Sequence, residues 1–197
     1  MEKICSRITT CFANRRIIDK DEIEIFRYGL NIFFFSVASL SSILIMAGLI
    51  GNLRLIVVYY LAFIPLRLFA GGYHAKTHLR CYALSVIAFL LMSVILMIPV
   101  SLSGVVVLSG SIFLAIVIIW NLAPVIHKNR QINNKELYYF KRICRIICVM
   151  EIVLIGLFIL LYGFGHVTVA FSCGFVSEAL SVYIAHKNMQ VSEKINQ

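Results

Sequence analysis

Between Tyr28 and Ile50 the chain reads YGLNIFFFSVASLSSILIMAGLI, a stretch that contains no charged residue. At about 1.5 Å per residue, a helix over this range is longer than the roughly 30 Å hydrocarbon core of a bilayer is thick. The stretch therefore predicts a membrane-spanning helix. The other apolar runs of the chain are interpreted relative to this first span.

The composition of the 197-residue chain agrees with a membrane protein. Hydrophobic residues make up 61% of it and charged residues 14%, which is more apolar than an ordinary soluble domain. The formal charge of +9 does not indicate nucleic acid binding, because the Lys and Arg residues lie at the ends of apolar runs, where they mark membrane orientation. The first 27 residues lack a continuous apolar core, so we expect no secretory signal peptide.

Five further apolar runs follow the first, and together they predict six spans. The second run, Leu55–Leu66, is short and contains Pro65 near its end. Residues 53–69 therefore either cross with snorkelling arginines or local thinning of the bilayer, or re-enter on the same side. The other runs are Tyr82–Leu102, Val105–Ala123, Ile143–Tyr162 and Val167–Ala185.

The distribution of positive charge supports six crossings. If the N-terminus is cytoplasmic, the cytoplasmic segments are 1–27, 67–81, 125–145 and the C-terminal tail. Of the 18 Lys and Arg residues, only Arg54 then lies on the outer side, as the positive-inside rule expects. Removing the second crossing would put the basic segment around Lys128 on the opposite side from the N-terminal segment. We therefore expect a multi-pass cell-membrane protein with both termini in the cytoplasm.

These features predict an all-α fold, a polytopic membrane protein with about six transmembrane helices and an N-terminal amphipathic helix. Residues 1–27 form a cytoplasmic amphipathic arm, which either lies on the membrane surface or is a solvated helix. Residues 28–197 form a single helical membrane domain. No internal repeat or second domain is evident in the sequence.

A short basic island between the second and third runs holds the candidate chemistry. Residues 65–85 read PLRLFAGGYHAKTHLRCYALS, with Gly71-Gly72 as a place where the backbone can turn sharply. A cysteine at pH 7 is mostly thiol and needs a nearby base or positive charge to act as a nucleophile. His74 and His78 are bases close in sequence to Cys81, and the six-span topology places all three at the cytoplasmic face.

Three interpretations of this island compete. On one continuous helix His74, His78 and Cys81 would share a face, which suits a cysteine nucleophile with a histidine base. A zinc site would need at least one more ligand, so we expect no metal and no other cofactor. Interfacial side chains without chemistry are the third interpretation. Spacing favours His78 as the base, because His74 lies about 10.5 Å of helical rise from Cys81, but spacing alone leaves both open.

The run Arg67-(x)3-Gly71-Gly72-Tyr73-His74-Ala75-(x)5-Cys81 resembles the signature of the AgrB family. These are membrane cysteine endopeptidases that process autoinducing peptide precursors in bacterial quorum sensing. Features along nearly the whole chain agree with the resemblance: the basic N-terminal arm, Glu24-Ile25-(x)2-Tyr28-Gly29, and a basic segment after Ala123-Pro124-Val125.

The resemblance implies that Cys81 is the nucleophile and His74 its base. His78 has no place in the family pattern and is either an assisting residue or a bystander. It implies cleavage of a short AgrD-like precursor peptide, with the remainder held on Cys81 as an acyl-enzyme. A cysteine or serine of the peptide would then displace the enzyme thiol and close a thiolactone or lactone ring. The precursor, its cleavage site and the ring type are not implied.

Three charged residues outside the nucleophile and base are candidates for assisting roles. Arg67 could meet a substrate carboxylate or a lipid headgroup. Glu151 and Glu178 fall within or near predicted spans, where ionisable residues are costly and often functional. Each glutamate is either a third member of the site or a structural partner for an arginine.

A protein without catalysis is the alternative to an enzyme. It would be a membrane exporter, or an assembly protein whose basic island binds peptide or lipid. Both alternatives share the six-span topology, so topology does not separate them. The oligomeric state is also open, with a homodimer as one option.

Overall fold

Seven helices account for almost all of the residues described by the structure, a computed structural model that covers residues 2–14, 23–73, 77–125 and 133–195. In chain order they are α1 Glu2–Asn14, α2 Ile23–Ile50, α3 Leu53–Ala70, α4 His78–Met97, α5 Leu102–Leu122, α6 Asn134–Tyr162 and α7 His166–Ile195. Helices α2 to α7 are each long and apolar enough to cross a membrane. The prediction of an all-α, multi-pass membrane protein with six spans is confirmed.

The short N-terminal helix α1 packs along the beginning of α2. Its residues Cys5 and Thr9 lie one turn apart and are buried, whereas Arg7 is exposed. The ring of Phe12 meets the ring of Phe26 edge to face, with centroids 5.7 Å apart. An arm with one packed and one exposed face is present, and its location on a membrane surface stays a prediction.

Helix α2 begins at Ile23, five residues before the charge-free stretch. Its first turn contains Glu24, whose carboxylate is favoured there by the positive end of the helix dipole. Glu24 also lies 3.8 Å from Arg27 in an exposed ion pair. The helix therefore extends beyond the charge-free stretch, because charged residues are compatible with a helix that continues outside the membrane.

Helix α3 is longer than the apolar run Leu55–Leu66 from which it was predicted. It continues through Pro65 and Arg67 to Ala70, which gives 18 residues and a length of about 27 Å. The continuous helix qualifies as a candidate span, so the short apolar run gives no reason to prefer a re-entrant segment. Arg67 is tolerated inside the helix because acceptors from other parts of the chain surround its guanidinium.

Helix α7 lies at the centre of the bundle. Half of its span is buried inside the protein, against 28% or less for each of the other five spans. It packs against α3, α4, α5 and α6, and its Phe175 is fully buried in the main core. Because neighbouring helices shield α7 from lipid, it carries buried polar residues and has the lowest hydropathy of the six spans.

Two cysteines on α6 belong to the main core. Cys144 and Cys148 are 1% and 0% exposed, and they pack with residues of α3, α5 and α7. Both are therefore packed thiols and do not face lipid. Their burial also makes them useful reporters of unfolding.

A close approach of α3 and α7 depends on the absence of a side chain at Gly174. A Cβ at this position would overlap the carbonyl oxygen of Tyr59 and touch the Cβ of Ala62 at 3.0 Å. Small residues allow membrane helices to pack backbone against backbone, which increases van der Waals contact between them. Gly174 therefore fixes the spacing between the central helix and α3.

Gly174→Ala is expected to destabilise the protein by about 1–3 kcal/mol, because the added methyl group separates α3 from α7. Gly156→Ala is the matched control, since no described atom lies within 4 Å of a Cβ built there, and alanine favours a helix over glycine. Thermal unfolding in detergent, followed by a thiol-reactive dye that labels Cys144 and Cys148 on exposure, measures both. Equal midpoints for the two variants would contradict the close approach.

Candidate functional site

Cys81 lies in the first turn of α4 and is half-buried. The helix is capped by Thr77, whose hydroxyl accepts a hydrogen bond from the Arg80 amide at 3.4 Å. The Cys81 amide donates to the Thr77 carbonyl at 3.1 Å. The position of the thiol is thus fixed by a capped helix terminus.

Of the two candidate bases, His78 lies on the same helix as Cys81. Helix α4 begins at His78, and Thr77 before it is extended, with φ −132° and ψ 148°. The distance between His74 and Cys81 is therefore not set by helical rise, so helical rise is no argument against His74 as the base. His74 lies outside the described residues, as does the side chain of His78. Their roles stay predictions.

The loop that leads from α3 towards His74 is held by backbone contacts. Gly71 and Gly72 have φ of 77° and 127°, values that favour glycine. Gly71 forms a parallel bridge with Val125, whose amide donates to the Ala70 carbonyl at 2.8 Å. The ends of α3 and α5 therefore meet at one end of the bundle.

Arg67 binds the backbone of this loop directly. Its guanidinium donates to the Gly71 carbonyl at 3.1 Å, to the Tyr73 carbonyl at 2.5 Å and to the Ser181 hydroxyl at 2.7 Å. A Cβ on Gly72 would overlap the same guanidinium, so the glycine makes room for it. Only a fifth of the Arg67 side chain is exposed.

Helix α7 supplies the side-chain partners of Arg67. Glu178 is fully buried and lies 3.8 Å from the guanidinium in an ion pair. One turn further along, Ser181 accepts the Arg67 hydrogen bond and also accepts from the Tyr73 amide, through its hydroxyl at 3.0 Å and its carbonyl at 3.1 Å. We call Arg67, Glu178 and Ser181 the arginine cluster.

The structure thus joins two of the assisting candidates in an ion pair, and the third, Glu151, is not a member of that pair. Arg67 and Glu178 form an ion pair, so Glu178 is a partner for an arginine. Glu151 on α6 is 3% exposed, and neither of its carboxyl oxygens has a hydrogen-bond partner among the described residues. Within that part of the chain, no three His, Cys, Asp or Glu side chains are grouped as metal ligands would be.

Ser181 was missed by reasoning from sequence. It lies 114 residues from Arg67 and 108 from Tyr73, so no local pattern connects it to the island. A usable signal was its position three residues after Glu178, because residues at that spacing share a helix face. A polar side chain one turn from an intramembrane carboxylate is a candidate for the same buried network.

A groove of about 800 Å³ lies away from the island in sequence, between α1 and the beginning of α2. It is lined by Cys5, Ser6, Arg7, Glu24, Arg27, Tyr28 and Asn31. Its charges have both signs, and none of its lining residues belongs to the arginine cluster or adjoins Cys81. The groove therefore fits binding of a polar or charged segment better than catalysis by the thiol.

A six-span helical bundle with a half-buried thiol at a capped helix terminus, beside an anchored glycine loop, defines a multi-pass membrane protein with a cysteine-containing site at one end. The chain belongs to the AgrB family, since the family model described as Accessory gene regulator B matches residues 5–184. Family membership confirms the resemblance stated from the sequence. It assigns the protein to the peptide processing of accessory gene regulator systems.

A curated relative agrees with this assignment. The chain is similar to a Clostridium perfringens (strain 13 / Type A) protein described as AgrB-like, with 24% identity over 140 residues. The aligned region covers 70% of this chain and 72% of that protein. No solved structure gives a significant match.

The two buried glutamates are expected to respond oppositely to replacement by leucine. Glu178→Leu should lower the free energy of unfolding by about 2 kcal/mol, because it leaves the Arg67 guanidinium without its carboxylate. Glu151→Leu should raise it by about 1 kcal/mol, because a buried polar group without a described partner is removed from an apolar span. The thiol-dye unfolding assay measures both, and a loss of stability in Glu151→Leu would reveal a partner for that carboxylate.

Proposed function

We propose that the protein is a membrane cysteine endopeptidase that cleaves a short AgrD-like precursor peptide and promotes its cyclisation through a Cys81 acyl-enzyme. The observation that supports this most is the placement of the island's ends. Tyr73, directly before His74, is anchored to α3 and α7, and Cys81 lies in the first turn of α4, whose cap is Thr77. A short connection thus joins the proposed base to the proposed nucleophile at one end of the bundle.

The proposed cleavage is a nucleophilic acyl transfer. His74 accepts the proton of the Cys81 thiol, and the thiolate attacks the carbonyl carbon of the scissile peptide bond. Collapse of the tetrahedral intermediate breaks the carbon–nitrogen bond, and the imidazolium returns the proton to the leaving amine. The C-terminal part of the precursor leaves, and the N-terminal part stays on Cys81 as a thioester.

Ring closure then uses the reactivity of the thioester. A cysteine or serine side chain of the bound peptide loses its proton and attacks the thioester carbonyl, and Cys81 leaves as thiolate and is reprotonated. A tethered nucleophile has a high effective concentration, which favours this reaction over hydrolysis. The half-buried position of Cys81 limits the access of water to the thioester, which also favours ring closure over hydrolysis.

The charge near this end of the bundle suits an acidic peptide. Arg80 next to Cys81 is exposed, and the first turns of α6 carry the exposed Lys135, Lys141 and Arg142. Opposite charge steers a peptide towards such a surface and orients it there. We place this end at the cytoplasmic face, with both termini on the same side, in accordance with the positive-inside rule.

Cys81→Ala and His74→Ala are expected to lower precursor cleavage by at least about 10³-fold, because each removes a member of the reacting pair. His78→Ala should retain cleavage, and Cys11→Ala, which removes an exposed thiol on α1, is the matched cysteine control. The measurement is mass spectrometry of a synthetic AgrD-like peptide incubated with the protein in liposomes.

The same experiment tests the covalent intermediate. A peptide adduct should be trapped on Cys81 and not on Cys11 after acid quenching. Cleavage that survives in both Cys81→Ala and His74→Ala would reject the mechanism. Loss in His78→Ala together with full activity in His74→Ala would reverse the assignment of the base.

A binding or export function without catalysis is the second candidate, and the groove between α1 and α2 favours it. Its lining of Arg7, Arg27 and Glu24 together with Tyr28 offers charge pairs and a ring to a bound peptide segment. Retention of full function in Cys81→Ser, combined with loss on reversing the charge of Arg7 and Arg27, would favour this candidate over the endopeptidase.

A further inference from the structure

We propose that Ser181 is a positioning residue for the reaction, which acts by holding the loop of residues 71–73, directly before His74 in the chain. This inference rests on the proposed function. Ser181 lies on the central helix α7, and two of its oxygen atoms accept hydrogen bonds from the loop. It touches neither Cys81 nor a reacting atom in any described contact, so its influence on chemistry would pass through Tyr73 to the neighbouring His74.

The contacts of Ser181 join the loop to two helices at once. Its hydroxyl accepts from the Tyr73 amide at 3.0 Å and from Arg67 at 2.7 Å. Its carbonyl accepts from the same amide at 3.1 Å. Arg67 in turn donates to the Tyr73 carbonyl, so both backbone polar groups of Tyr73 are satisfied by residues of the arginine cluster. A backbone held at both its donor and its acceptor has little freedom to move.

The loop needs such an anchor because of its own composition. Two successive glycines precede Tyr73, and glycine populates more backbone conformations than any other residue. Without side-chain contacts, the Gly71-Gly72 pair would leave the following residues free to take many directions. A displacement of about 1 Å at a reacting group can cost about 10²-fold in rate. Anchoring directly after the glycines removes this freedom at the residue that adjoins the base.

A substitution at Ser181 tests positioning without unfolding the protein, which a substitution at Arg67 or Glu178 does not. Removing Arg67 or Glu178 leaves the other charge buried and unpaired, which destabilises the protein as a whole. Removing the Ser181 hydroxyl takes away neither member of the ion pair between Arg67 and Glu178, whose charged atoms lie 3.8 Å apart. It also keeps the Ser181 carbonyl as an acceptor for Tyr73. The expected effect is therefore a looser loop in a folded protein.

The test measures two quantities on full-length protein in liposomes, namely precursor cleavage and the rate at which iodoacetamide alkylates Cys81 at pH 7, located by mass spectrometry. Ser181→Ala should lower kcat by about tenfold with KM changed by less than about twofold, because reactive geometry is lost and peptide binding is kept. Ser181→Thr, which keeps the hydroxyl, should restore kcat. Ser172→Ala is the matched control, since that buried α7 serine has no hydrogen-bond partner among the described residues.

A double variant distinguishes positioning of His74 from a general structural effect. If Ser181 acts through His74, Ser181→Ala slows Cys81 alkylation in the parent but adds no further slowing in His74→Ala. Equal slowing in both backgrounds, a kcat of Ser181→Ala equal to that of Ser172→Ala, or failure of Ser181→Ala to fold would each overturn the inference.

The failure of this inference is distinguishable from failure of the proposed function. If the parent protein does not cleave the precursor, or if Cys81→Ala cleaves it as fast as the parent, the proposed function falls and the inference falls with it. If the parent cleaves, Cys81→Ala does not, and Ser181→Ala matches the parent in both measurements, only the positioning role is overturned.

Discussion

A guanidinium and a carboxylate enclosed in an apolar bundle are each costly, and their pairing is the constraint on which the site depends. Arg67 on α3 and Glu178 on α7 satisfy it at 3.8 Å. The pairing joins the last turn of α3 to the middle of α7, two helices that pack closely through Gly174. With its guanidinium held there, Arg67 also donates hydrogen bonds to the carbonyls of Gly71 and Tyr73 in the loop after α3. One electrostatic requirement therefore connects helix packing to the geometry of the island.

The number of spans was predictable because hydropathy reports directly on the cost of placing charge in a bilayer. The first and last residues of each span were less predictable. Arg67 looked like the end of a short run, yet α3 continues past it to Ala70, because acceptors outside the helix neutralise its cost. The central position of α7 could not be predicted either. Polar residues such as Ser172 and Glu178 lower the hydropathy of this span, and only the packing of the neighbouring helices shows that they are buried.

For the site, sequence reasoning reached the residues that are close in the chain and the motif that contains them. It proposed Cys81 and His74 from a family resemblance, and it left Glu178 open between a role in the site and a role as partner of an arginine. Ser181 was out of reach because its contacts span more than 100 residues of sequence. Such contacts follow from helix packing, which one sequence does not specify.

The central helix is also the last of the seven to be synthesised. The island with its thiol leaves the ribosome early, whereas Glu178 and Ser181 emerge only near the end of the chain. Until α7 inserts among its neighbours, the glycine loop lacks the acceptors that fix it, and Arg67 lacks its counter-ion. The loop before Cys81 thus gains its contacts with α7 only when the last helix packs into the bundle.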